Sequence, residues 1–322
     1  MHMSDALVSP AVAGAMWLAS GASLVYSVKK VKEEVNHEQN IPLMGILGAF
    51  VFAVQMLNFT IPATGSSGHF AGGFFLALLL GPYMTMIAMS SVLTVQALFF
   101  ADGGLMALGC NIFNLGFIPA FFTLPLYRTL IKSSDSSFFP IVMFSLITLL
   151  AGAFMVVVET TLSGITELPF GRFVMLMIPI HFLIGIVEGF ITYVAFRFVK
   201  RNIQLDDESQ SGSTMRRWAI FWALIFVLSG IVSWYASSNP DGLEWSMFSL
   251  MNAEVEPESA VTGVHHFFES IQSKISLLPE YGFEGLNEKA GTTLSGILGS
   301  VIVFLVAFFT GWIVKRRGKS FN

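Results

Sequence analysis

Histidine stands at position 2, directly behind Met1. In that place it brings an α-amine, a main-chain amide nitrogen and an imidazole nitrogen within reach of one cation. Amine and amide nitrogen close a five-membered chelate ring, and amide nitrogen with imidazole Nδ1 closes a six-membered one. The three donors lie nearly in a plane and leave one equatorial position open. The chelate requires Met1 to stay on the chain, and the large residue behind it disfavours removal. An accidental histidine in a frayed terminus is the plainer alternative. A second histidine, His69, follows the run Pro62-Ala63-Thr64-Gly65-Ser66-Ser67-Gly68. Glycines there allow close backbone approach, and hydroxyls such as that of Ser67 can pin the loop by hydrogen bonds. If the loop and the terminus share a membrane face, Met1, His2 and His69 could form a four-nitrogen site. The alternative is a loop histidine packed beneath the outer rim. Planar nitrogen donor sets favour Ni(II) or Cu(II) over Co(II).

Polar residues inside apolar spans are costly and often functional. Gln55 with Asn58, and Asn111 with Asn114, fall three apart on one helical face, while Gln96 and Asp102 lie near the outer end of their span. All are expected at the level of the two histidines, where they could orient the ligands from behind. Hydrogen-bond glue between helices is an equally weighted alternative. His181 and Glu188 read as a structural polar pair, with Glu188 too deep to reach the outer site. His265-His266 read as a solvated face, and the 16 methionines as core filler. Small residues recur at four-residue spacing, as Ala11, Ala15, Ala19 and Ser23 and again as Gly45, Ala49 and Ala53. Such faces serve internal packing or the docking of another membrane subunit. The single Cys110 forbids an internal disulfide and a Cys-rich metal cluster. Gly318-Lys319-Ser320 mimics the end of a phosphate loop, but Gly311 has the wrong spacing and no strand precedes it. No nucleotide site is read, and no His-Glu-x-x-His pair supports an intramembrane metalloenzyme.

The elements that must position these residues follow from composition. Of 322 residues, 54% are hydrophobic and 12% charged, with a mean hydropathy of +0.71. Soluble domains carry about 25% charge, so a soluble enzyme, a nucleic-acid binder and a disordered chain are excluded. Apolar runs without dyad alternation predict helical spans at 6–28, 41–60, 70–81, 83–100, 104–127, 138–160, 173–196, 216–236 and 292–314. Gly81-Pro82 separates the third from the fourth. With nine crossings and an outer N-terminus, every Lys and Arg except Arg172, Lys274 and Lys289 falls on the inner side, as the positive-inside rule requires. Reading 70–100 as one crossing loses that agreement. The expected fold is an all-α polytopic membrane protein with an extracytoplasmic N-terminus and a cytoplasmic C-terminus. No cleaved leader is expected, since Met1-His2-Met3-Ser4-Asp5 carries no basic region.

Residues 1–201 form a compact set of seven spans, 202–214 a polar cytoplasmic linker, and 215–322 two spans bracketing an acidic outer segment at 237–291. An amphipathic helix around Val261–Leu278 is expected in that segment, and otherwise loop. No internal repeat is evident.

Several runs resemble the CbiM/NikM family: Met1-His2-Met3, Pro42-Leu43-Met44-Gly45 through Asn58, Ser66-Ser67-Gly68-His69, Val95-Gln96 through Asp102-Gly103-Gly104, and Asn111-Ile112-Phe113-Asn114. Members are substrate-binding (S) components of energy-coupling-factor transporters for cobalt or nickel, and the similarity covers about residues 1–200. Asn239-Pro240-Asp241-Gly242-Leu243-Glu244 resembles the PDGLE motif of the small NikN/CbiN-type partner, here fused. The resemblance implies a seven-helix S-component bundle plus two further transmembrane helices. It implies that Met1 amine, His2 amide and imidazole, and His69 imidazole hold one divalent ion, which is transported substrate, with no cofactor. It also implies a transmembrane coupling (T) subunit and cytoplasmic ATPase subunits in a prokaryotic plasma membrane. At Met3-Ser4-Asp5-Ala6-Leu7-Val8-Ser9 the chain departs from the family's usual run, so the lip over the site differs while the ligand positions do not. The expected role is capture of nickel or cobalt, nickel favoured, with a metal sensor or scaffold without transport as the rival.

Overall fold

The computed structural model describes residues 2–33, 37–131, 137–165, 168–204, 211–254, 263–283 and 285–318. With lipid as solvent, main-chain polar groups must find partners within the protein, and the apolar runs do so as helices. The order is α1 (Pro10–Glu33), α2 (His37–Gln55), β1 (Phe59–Ile61), β2 (Ser66–Gly68), α3 (Gly73–Phe99) and α4 (Leu108–Ile112). A π-helical stretch, Phe113–Thr123, continues α4 into α5 (Leu124–Leu130). Then follow α6 (Phe138–Ser163), α7 (Phe170–Gln204), α8 (Ser211–Gly230), α9 (Gly242–Glu254), α10 (Gly263–Ile275) and α11 (Glu288–Gly318). Among the described residues seven helical segments are long and apolar enough to cross a membrane, and Ile41–Gln55 is a shorter apolar one. Leu18, Phe139, Leu162 and Met175 stand exposed on them, as expected of a surface wetted by lipid.

α3 does not run straight. Gly81 takes φ 74° and ψ 179°, a conformation closed to L side chains, and Pro82 restarts the helix behind it. An unbroken helix of this length would span about 40 Å. Yet His69 before it and Asp102 after it both meet His2. The chain therefore reverses at Gly81, where Arg128 from α5 approaches. The first arm is short, about 12 Å, so the loop before it dips into the bundle. The division at Gly81-Pro82 read from the sequence is the one observed.

Side-chain contacts fix the direction of the other helices. The Trp17 indole of α1 donates to Met106 O, and Tyr26 further along meets Tyr83 and Phe121. α11 runs antiparallel to α2, with Gly45 against Phe304 and Phe52 against Gly299. The small-residue face of α2 is thus internal packing beneath the C-terminal helix. On α1 the corresponding face stays open: Ala11 and Ala15 are exposed, and no described atom lies near Gly14 or Gly21. Residue 2 and the far end of α11 lie at opposite ends of the bundle.

Three expectations need correction. α2 stops at Gln55, so Asn58 lies in the following turn rather than on a helical face. The stretch expected to link two regions is helical at both ends, as α7 reaches Gln204 and α8 begins at Ser211; 205–210 lie outside the described residues. The outer segment holds two helices, not one: α10 falls where an amphipathic helix was expected, and α9 where loop was expected. Its start is a capping box. Asp241 Oδ1 accepts from the Leu243 and Glu244 N–H groups at 2.8 and 2.9 Å, and Glu244 Oε2 accepts from Asp241 N–H at 3.1 Å.

Candidate metal centre

The N-terminal thread is built into the bundle. Met3 is fully buried, and buried extended backbone must find partners. Met3 N–H donates to Asn111 Oδ1 at 2.8 Å, while Met3 O accepts from Asn111 Nδ2 at 3.1 Å and from Gly104 N–H at 2.9 Å. Asp5 Oδ1 accepts from Ala107 N–H, and Leu7 and Val8 are buried. A frayed segment is excluded for residues 2–9; Met1 itself lies outside the described residues. His265, expected on a solvated face, instead closes over this thread: it is buried and its Nε2 donates to Val8 O at 3.1 Å. His266 beside it is the exposed one.

The thread delivers His2 to His69. Their rings stack with centroids 5.2 Å apart and planes inclined by 7°. His2 Nδ1 lies 3.0 Å from Asp102 Oδ1, and its Nε2 is buried with no partner among the described residues. Asp102 Oδ2 accepts the Tyr281 hydroxyl at 2.6 Å. Burial opposes charge on Asp102, but His2 and the Tyr281 hydroxyl outweigh it and hold the carboxyl below its ordinary range. Burial, reinforced by Asp102, pushes the Tyr281 phenol well up, so it remains a donor. His69 Nδ1 lies 3.3 Å from Phe70 O; a carbonyl only accepts, so Nδ1 carries the proton and Nε2 the lone pair. That Nε2 faces Asp241 Oδ2 at 3.9 Å. Burial is the main cause that brings the His69 imidazole down to about 3, which keeps it neutral at physiological pH.

His69 rides on a buried hairpin, β1 against β2, held from several sides. Below, Glu188 accepts from the Ala71 and Gly72 N–H groups at 3.4 and 3.2 Å. Gln55 Nε2 donates to Ala71 O at 2.9 Å, and Gln96 Nε2 donates to Gln55 Oε1 at 2.9 Å. Above, Ser67 N–H donates to Pro240 O and Ser67 Oγ to Asn239 O, both at 2.8 Å. The Asn58 carbonyl accepts Ser237 N–H at 2.7 Å. Gly242 packs closely, since a Cβ there would crowd His181 and Ile184 at 3.0 Å. Each residue of Asn239–Glu244 thus either pairs with the His69 loop or starts α9.

Between the two walls opens a cavity of about 1060 Å³, lined by His2, His69, Asp102, Asp241, Glu244 and Glu269 among others. Among the described residues no three His, Cys, Asp or Glu side chains converge to hold a metal. A strong site here needs main-chain nitrogens as well as the two imidazoles.

The structure therefore brings His2, His69 and Asp102 together. It sets Gln55, Gln96, Asn111 and Ser67 behind them as supports, and uses Asn58 only through its backbone. Asn114 turns away, toward Met3 Sδ at 3.9 Å and Glu159 at 2.8 Å. The expected His181–Glu188 pair is not formed, since His181 Nδ1 bonds Met177 O at 2.8 Å and Glu188 reaches the His69 loop. Glu188, expected to lie too deep to reach the outer site, meets the loop that carries His69. Tyr281, Asp241 and Glu159 were missed, and only Asp241 carried a signal, the Asp-x-x-Glu spacing of a helix start.

Residues 2–204 match the family CbiM, a cobalt uptake substrate-specific transmembrane region, and 215–316 match the PDGLE domain. A putative fused nickel transport protein NikMN of Archaeoglobus fulgidus is 32% identical over 321 residues, 96% of this chain and 97% of that one. A probable fused nickel transport protein LarMN of Lactiplantibacillus plantarum is 29% identical, covering 95% of this chain and 96% of its own length. A crystal structure of a truncated transition metal transporter aligns with a TM-score of 0.56 and 28% identity over 62% of this chain and 99% of that one. The chain belongs to the CbiM family, and carries a PDGLE domain fused behind its CbiM region.

Proposed function

We propose that this chain is the substrate-specific subunit of an energy-coupling-factor importer for divalent nickel or cobalt, nickel favoured, rather than an enzyme. The Met1 amine, the His2 amide nitrogen and imidazole, and the His69 imidazole hold the ion in a near-planar set of four nitrogens, which suits Ni(II). The observation that carries this reading is the stacking of two imidazoles 67 positions apart at the wall of one cavity. Chelation through Nδ1 asks the His2 ring to turn from Asp102 and its main-chain amide to lose a proton, so binding weakens in acid. The relatives named as nickel transport proteins support import as the outcome. The basic ends of α1, α5 and α7 lie opposite the cavity, so the positive-inside rule supports an extracytoplasmic site and a cytoplasmic C-terminus. In this reading 1–201 is the metal-binding region and 215–322 the PDGLE region. A coupling subunit and cytoplasmic ATPase subunits, all in a prokaryotic plasma membrane, would drive release inward.

Isothermal titration of the purified chain with Ni²⁺ tests the site. His2→Ala is expected to abolish tight binding, and so is one extra residue ahead of Met1, which moves the amine out of its chelate ring. Unchanged affinity in either variant overturns the site. Uptake in cells with and without the coupling and ATPase subunits separates an importer from a sensor or scaffold.

A further inference from the structure

Directly beneath the thread, the bundle buries a second polar cluster that capture at His2 and His69 does not use. Asn114 Nδ2 donates to Glu159 Oε2 at 2.8 Å and lies 3.9 Å from Met3 Sδ. The Cys110 thiol, one turn before Asn114, lies beside the Glu159 carboxyl. Met3, Cys110, Asn114 and Glu159 are each 2% exposed or less. Even so, Glu159 Oε1 and Asn114 Oδ1 have no hydrogen-bond partner among the described residues. The Thr160 hydroxyl beside them is equally unpartnered. A half-satisfied polar network in a low-dielectric interior is worse than an apolar core, and an ionisable residue at this depth marks a functional site by default. The π-helical stretch begins at Phe113, beside Asn114, and π turns concentrate at functional sites.

We propose that Met3 Sδ, Cys110 Sγ, Asn114 Oδ1 and the Glu159 carboxylate form an inner relay site for a divalent transition-metal ion leaving the His2–His69 site. The inference rests on the transport reading above, since the cluster touches the residue that follows His2. Its donor set is thiolate, thioether, amide oxygen and carboxylate, the Cys110 thiol releasing its proton to solvent as the ion binds. Sulfur donors select transition metals over Mg²⁺ and Ca²⁺, and the cation would pair with an otherwise costly buried carboxylate. Without fused chelate rings the set binds less tightly than four planar nitrogens. A relay needs that weakness, because an ion must leave as well as enter.

Co²⁺ titrated into the purified full chain in lipid nanodiscs reads both sites optically. The first equivalent is expected at the nitrogen site; the second should bring sulfur-to-cobalt charge-transfer absorption. Cys110 is the only cysteine, so Cys110→Ser should remove that absorption outright. Glu159→Gln keeps an acceptor for Asn114, and should weaken the second equivalent by about tenfold or more while the first stays within about twofold. His2→Ala should remove the first and leave the sulfur absorption. Absence of that absorption at saturating cobalt, or its persistence unchanged in Cys110→Ser, overturns the relay and leaves a water-filled cluster only. First-equivalent binding that survives His2→Ala instead overturns the capture site, a failure separable from that of the relay.

Discussion

His2 reaches the cavity on an extended thread gripped from within the CbiM region, where Asn111 and Gly104 saturate the backbone of the next residue. His69 reaches it on a hairpin pinned below by Glu188 and Gln55 and above by residues 237–241 of the PDGLE region. One wall is held rigidly by local bonding at Met3, with His265 and Tyr281 of the PDGLE region reaching it further out, at Val8 O and at Asp102. The loop of the other is itself shared between two regions, so changes far along the chain can move its imidazole. The difference teaches where affinity is set and where it can be tuned.

The largest effect is expected on the rigid wall. Asn111→Ala strips Met3 of its N–H partner and one of two partners of its carbonyl. Leaving a buried group unpaired costs about 1–3 kcal/mol, and supports behind a ligand are worth about 10–100-fold in affinity. Calorimetry and thermal melting should both register the loss. Next comes the floor of the shared wall. Glu188→Ala leaves the Ala71 and Gly72 amides unpaired, and nickel affinity is expected to fall by roughly tenfold, with Glu188→Gln intermediate. If Glu188→Ala leaves affinity untouched while Asn111→Ala does not, Gln55 and the PDGLE side hold His69 without it.

A smaller effect tests that side. Asn caps a helix about as well as Asp, so Asp241→Asn should preserve α9 while removing the charge opposite His69. Nickel affinity should shift only a few-fold, a fraction of the change made by a lost support. Asp241→Ala should in addition destabilise α9 by about 1 kcal/mol, readable as faster amide exchange over 242–254. Equal losses of affinity in the two variants would show that Asp241 acts through its charge and not through the helix.

What the residues disclosed in advance follows the range of the physics. Gly81-Pro82 restricts its own backbone, so the reversal of α3 was legible without any partner. The pairing of His2 with His69 was legible as chemistry, because few residue arrangements make a nitrogen chelate. Glu188 was not: it was read as out of reach of the outer site, and nothing local says that the His69 loop meets it. Asp241-Gly242-Leu243-Glu244 was read as a family mark when its spacing already spelled a helix start, and Asn58 was set on a helix that ends three residues sooner.

The smallest expected effect separates His69 by pH. In the folded chain burial holds its imidazole at about 3, whereas an unfolded histidine titrates near 6.5. Between those values the unfolded chain binds the extra proton, so stability rises with pH across the interval and is flat above it. Asp102 is shifted in the same direction, a folded carboxyl below its ordinary 3.8, but its stabilisation is lost only as pH falls beneath that lower range. The window from about pH 4 to 6.5 therefore separates His69 from Asp102, and comparison with His69→Gln removes the other buried groups common to both proteins. As pH drops through that window, the melting temperature of the metal-free chain should decline more steeply than that of His69→Gln. An identical decline in both proteins would mean that the hairpin opens and wets His69 before the bundle melts, making the shared wall the first part of the site to yield.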